Sequence, residues 1–207
     1  MKKDINEIIN QLFDSFKLIE SSDIPNIDLY MDQITTFINS ELSHHKRNDE
    51  EKILTKTMIN NYAKSSLFPS PEKKKYSKDH MIVLILIYYL KNVMSINDIK
   101  TILDPITADF FGNKDGATMT DVYDEICSHL VPFKEYLRND ISEKLSKIDT
   151  LEEDADGTSP KIRNKDIDNE SLEKFIMVSM LAFDITIKKQ VIEKIIDSIE
   201  KPEKTDK

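Results

Sequence analysis

Between residues 52 and 80 the chain carries seven lysines, Lys52, Lys56, Lys64, Lys73, Lys74, Lys75 and Lys78, against two acids, Glu72 and Asp79. The stretch holds a net +5 in a protein whose formal net charge is -9, which leaves -14 to the remaining residues. Ammonium groups gathered on an otherwise acidic chain are a local footprint for phosphates. The acidic total excludes a protein that coats nucleic acid with its whole surface, and the run 73–75 taken alone reads equally as a solvated loop. Other chemistry has little to stand on. The sequence holds no phosphate-cradling glycine loop, no Ser/His/Asp order and no metal-ligand cluster, so neither an enzyme nor a cofactor is expected. His44 and His45 are adjacent, which is not ligand spacing, and Cys127 lies beside an apolar stripe without a basic partner, as a small buried residue does.

The elements that must position these lysines lie in residues 54–103. Thr55 stands as an N-cap ahead of Met58, Ile59, Tyr62 and Ala63, which predicts a helix from Lys56 to about Ser66. Pro69 and Pro71 cannot continue it, and Glu72, Lys73, Lys74, Lys75 and Tyr76 are too few for a strand pair of any size but enough for a tight basic loop. Ser77 caps a second helix whose residues 81–90 are apolar on every face and therefore central to a core, yet too short to span a membrane. Ser95 and Asp98 form a capping box for a helix bearing Ile96, Ile99, Ile102 and Leu103, which Asp104 and Pro105 end.

This order resembles the DNA-binding domain of mercury-resistance-regulator (MerR-type) proteins over about fifty residues. Their pattern is a recognition helix near T-I-R-Y-Y, then G-L-L-x-P, a wing with Arg and Tyr, a Ser-capped helix and a last helix opening G-F-S. Met58-Ile59-Asn60-Asn61-Tyr62, Ser66-Leu67-Phe68-Pro69, Lys73-Lys74-Lys75-Tyr76-Ser77 and Val93-Met94-Ser95-Ile96 stand at those motifs. Asn60 and Asn61 replace the Arg and Tyr, and Ser66 and Val93 replace the two glycines. The chain, including residues 27–33, also resembles a domain-of-unknown-function family of Gram-positive bacteria. The MerR resemblance implies a winged helix-turn-helix that binds double-stranded DNA as a transcriptional regulator, with a recognition helix near 56–65 and a basic wing at 72–76. Thr55, Lys56, Asn60, Asn61, Tyr62, Lys64, Lys73, Lys74, Lys75 and Tyr76 would form its surface, an Asn pairing with adenine and the lysines reaching phosphates. Tyr76 would anchor the wing or donate to a phosphate. The same resemblance implies a homodimer through carboxy-terminal helices, while no small-molecule effector is singled out.

Few glycines and 32% charged residues predict an all-α protein in which the winged segment packs with additional helices. Ile5, Ile8, Ile9, Leu12, Phe13, Phe16 and Ile19 mark an amphipathic first helix, and a second is expected from about Asp28 to Leu42, presenting Tyr30 or Met31 with Ile34, Phe37, Ile38 and Leu42. The polar run 43–52 reads as a loop. Residues 112–116 read as a joint between a region 1–110 and a carboxy-terminal helical region 117–200, a dimerisation or effector part with a flexible loop at 149–169. In that region Thr118 or Thr120 caps a helix bent at Pro132, and Ser171 caps a broad apolar helix packed on two sides before a frayed KPEKTDK end. One cysteine and no signal peptide predict a cytoplasmic protein away from membranes. The rival expectation is a helical protein-protein interaction module that does not bind DNA.

Overall fold

The computed structural model describes residues 2–150 and 169–199. Seven helices dominate it: α1 (Lys2–Ser15), α2 (Met31–Glu41), α3 (Lys56–Lys64), α4 (Lys78–Leu90), α5 (Ile96–Phe110), α6 (Met119–Thr150) and α7 (Asn169–Asp197). Two short strands, β1 (Leu29–Tyr30) and β2 (Lys75–Tyr76), form an antiparallel pair. Residues 151–168, most of the expected loop at 149–169, and the KPEKTDK end lie outside the described residues. The chain divides into two compact units, Met1–Ser15 with Leu130–Gln190, and Phe16–His129 with Val191–Lys207.

The second unit is built on α4. Seven successive side chains, residues 81–87, are all buried, so the helix needs cover on every side. That cover comes from Ile34, Ile38 and Leu42 on or just after α2, Ile59 and Tyr62 on α3, Leu67 and Phe68 after it, Ile99 and Leu103 on α5, and Met119 and Tyr123 on α6. Each such aliphatic side chain contributes about 1.5–3 kcal/mol on burial. Tyr123 closes the unit, its hydroxyl donating to the Ile19 carbonyl at 2.6 Å.

The amino end of α4 is fixed by His80, 5% exposed. The Ser77 amide N–H can only donate and lies 3.0 Å from Nδ1, while the Pro69 carbonyl can only accept and lies 3.0 Å from Nε2. The proton therefore sits on Nε2. Phe68, Tyr76 and Phe111 meet the ring edge-on. Asp79 beside it accepts from the Gly112 N–H at 2.7 Å and ties the end of α5 to the start of α4.

Several expectations are corrected. Pro105 does not end α5, which runs on to Phe110. Proline removes one backbone bond there, but Leu103, Ile106 and Phe110 pack at helical spacing against the core and outweigh it. The expected second helix starts at Met31 rather than Asp28, because residues 29–30 are drawn into the strand pair. The basic loop holds no strand pair of any size of its own, as expected, but it supplies one two-residue strand, β2, whose partner β1 comes from far upstream. Ser171 is inside α7, which begins at Asn169. His45, read as merely polar, packs among Phe16, Tyr88 and Tyr89 in a cluster that also receives the short Ser43–His45 turn. Pro132 lies within the continuous α6, and residues 112–116 form the turn between α5 and α6 inside the second unit.

The first unit is sparser. Among its described residues Ile9 and Phe13 are the buried hydrophobic side chains. Arg138 on α6 bonds Asp14 at 2.7 Å and lies over the Phe13 ring, and Lys144 joins α6 to Asp184 on α7 at 3.1 Å. Among the described residues no helix is long and apolar enough to cross a membrane.

Burial lowers the pKa of His80, and a proton on Nδ1 would face the Ser77 N–H. Asp79 and Asp28 oppose that shift without reversing it. The unfolded chain thus takes up the proton first, so stability is full above pH ~6.5 and declines as pH falls below it. Thermal melts between pH 7.5 and 5.5 should show this decline in the wild type, and a lower but flatter profile in His80→Gln.

Candidate nucleic-acid interface

The start of α3 is held from three directions. Thr55 Oγ1 accepts from the Met58 N–H at 3.2 Å, satisfying one orphan donor of the first turn. The Asn39 side chain on α2 pairs with both backbone groups of Leu54, donating to its carbonyl at 2.8 Å and accepting from its N–H at 3.3 Å. Lys91 Nζ, at the end of α4, donates to the Ile53 carbonyl at 3.0 Å. The helix then buries Ile59 and Tyr62, three residues apart, and leaves Lys56, Thr57, Asn60, Asn61 and Lys64 exposed.

Its exit is a Schellman motif: the Leu67 N–H reaches the Tyr62 carbonyl at 3.1 Å and the Ser66 N–H that of Ala63 at 3.0 Å. Ser66 is left-handed, φ +52°, where glycine is the usual residue. Lys100 Nζ on α5 caps the turn by donating to the Ser66 carbonyl at 2.9 Å.

The wing turns on Glu72, whose carbonyl accepts from the Lys75 N–H at 2.8 Å. Lys73 and Lys74 between them have φ of +48° and +64°, the signs of a type I′ turn, in which Asn-Gly is strongly favoured. Beyond it β2 pairs with β1 so that Leu29 opposes Tyr76 and Tyr30 opposes Lys75. Because side chains alternate, Leu29 and Tyr76 enter the core while Tyr30 and Lys75 point outward. Lys75 Nζ lies 5.6 Å from the centre of the Tyr30 ring. Two residues on, in the first turn of α2, the Asp32 carboxylate pairs with Lys56 at the head of α3. Residues 30–32 thus touch both the wing and α3.

Of the residues read as a surface, Lys56, Asn60, Asn61, Lys64, Lys73, Lys74 and Lys75 are exposed. Thr55 is occupied by its cap. Tyr62, 8% exposed, faces the core and is a packing residue with little surface to offer. Tyr76, 3% exposed, anchors the wing under His80, and burial, which also pushes its phenol pKa up, leaves it little surface to offer a phosphate. Tyr30 and Asp32 escaped the sequence reading because they were counted in the helix from Asp28. The sequence hinted only that the helix does not need Tyr30, since Ile34, Ile38 and Leu42 make a complete apolar stripe without it.

The model of the family Domain of unknown function (DUF1836) matches residues 19–126, a span that falls inside the second unit. No curated protein and no solved structure matches the chain.

Left-handed lysines cost backbone energy that glycine avoids. The double substitution Lys73→Asn and Lys74→Gly should therefore raise unfolding stability by about 1 kcal/mol, read by urea denaturation. Ser66→Gly should add about 0.5 kcal/mol by the same route.

Proposed function

We propose that this chain, which belongs to the DUF1836 family of domains of unknown function, binds double-stranded DNA as a transcriptional regulator of MerR-like type. The observation that carries the reading is the junction at residues 30–32. Asp32 contacts Lys56 at the head of α3, and Tyr30 contacts Lys75 in the wing, so the basic residues of two elements share one neighbourhood. In a complex α3 enters the major groove, where the exposed amide of Asn60 or Asn61 pairs with adenine N6 and N7. Lys64 and the wing lysines 73–75 neutralise phosphates and hold the register. The strained turn supports the same reading, since it keeps two lysines at a tip where stability alone favours Asn-Gly.

Selection from a random DNA pool at two salt concentrations tests it. An enriched sequence with a steep salt dependence is the expected result. Changing Lys73, Lys74 and Lys75 together to Glu should weaken binding to all sequences and reduce the slope of log affinity against log salt by about 2–3, whereas Asn60→Ala should shift preference among sequences. No enrichment and weak binding in both salts would refute the reading.

The regulator acts as a homodimer in this reading. Leu172, Ile176, Met177, Met180 and Leu181 form the half-buried side of α7, while Phe175, Val178, Ala182 and Ile185 repeat at three- and four-residue spacing on its exposed side. Ile8 and Leu12 on α1 and Val131 and Tyr136 on α6 are exposed as well, so the first unit leaves apolar side chains available to a partner. Two recognition helices related by a two-fold axis would fit a palindromic operator. Sedimentation should find a dimer that Val178→Asp turns into a folded monomer. The same apolar face favours the second reading, a protein-interaction module, which gains if the wild type is monomeric and DNA selection fails.

A further inference from the structure

We infer that the β1–α2 junction is a third element of the DNA-binding surface, with Tyr30 as a contact residue and Asp32 as a carboxylate that must release Lys56 when a phosphate binds. The inference rests on the DNA-binding reading and adds to it two residues outside the recognition helix and the wing.

Tyr30 is a large aromatic left 53% exposed beside a row of lysines. Its backbone, rather than its side chain, does the local structural work: it belongs to the ladder with Lys75, and its N–H donates to Gln33 Oε1 at 2.9 Å to start α2. Its ring stands on the outward face of the ladder, 5.6 Å from Lys75 Nζ, so it shares that exposed side with a wing lysine. A tyrosine in that place can donate to a phosphate oxygen, as hydroxyl side chains commonly do at DNA backbones.

Asp32 acts in the opposite sense. Its pair with Lys56 is exposed on both sides, 59% and 72%, and such pairs add little to folding. Its effect falls on the ligand. While the carboxylate holds the ammonium group, Lys56 offers an approaching phosphate no net charge, and the carboxylate repels it. Loss of that carboxylate frees one cation for phosphate contact and for the counterion exchange that follows.

The test is DNA binding to a selected or a random duplex over a salt series, with thermal melts of each variant alongside. Asp32→Asn should tighten binding three- to tenfold and steepen the salt slope by about one. In a Lys56→Gln background the same change should give no gain, because its beneficiary is gone. Tyr30→Ala should weaken binding about five- to tenfold with little change in melting temperature, and Tyr30→Phe should reproduce most of that loss if the hydroxyl makes the contact. Equal gains from Asp32→Asn with and without Lys56 would reduce it to a general charge effect and overturn the assignment, as would unaltered binding by Tyr30→Ala. If the wild type binds and the wing triple variant weakens it while both junction variants are inert, the junction inference fails and the DNA reading survives. If the wild type does not bind, the reading fails and the inference falls with it.

Discussion

A helix that is apolar all round sets the terms for everything near it. Seven consecutive buried side chains on α4 leave no face for water, so α2, α3, α5 and the first turns of α6 are each required as cover. Position along that helix is set at its amino end by a neutral imidazole that accepts from one backbone group and donates to another. The turn after α3, the wing strand and the end of α5 all meet at that ring, through Phe68, Tyr76 and Phe111. The geometry of the exposed surface is therefore inherited from the core: α3 and the wing are placed by what lies beneath them.

Strain is distributed unevenly over this framework. Among the described residues three other than glycine have positive φ, Ser66, Lys73 and Lys74, and all lie at the exit of α3 or at the tip of the wing. Ser66 is held there by the Schellman bonds and by Lys100. The two lysines have only the Glu72–Lys75 bond and the short ladder behind them. At the tip, charged side chains occupy backbone conformations that Asn and Gly hold at lower cost.

Much of this was legible in the sequence because local rules and burial agree there. Thr55, Ser95 and Thr118 cap the helices their spacing announces, and the uniform apolarity of residues 81–87 has one physical solution. The failures arose where a distant partner decided. Nothing local to Leu29 and Tyr30 says that they will pair with Lys75 and Tyr76, and without that pairing they read as the opening of a helix. Pro105 likewise reads as a stop until the weight of Leu103, Ile106 and Phe110 on the core is counted. At the candidate surface, spacing marked the lysines and asparagines but could not distinguish a tyrosine that packs, such as Tyr62 or Tyr76, from one that faces out, such as Tyr30. Burial separates them, and burial is a property of the assembled fold.

The long-range closures bear on how the protein is made. The ladder joins residues 29–30 to 75–76, and the Tyr123 hydroxyl closes a loop back to Ile19. A ribosome delivers the chain from its amino end, so β1 emerges well before the wing strand it pairs with, and α4 waits for α5 and α6 to cover it. Until Tyr123 leaves the exit tunnel, the most apolar helix of this unit has an incomplete shell. The first unit is later still, since α1 is synthesised first but shares its compact unit with residues 130–190.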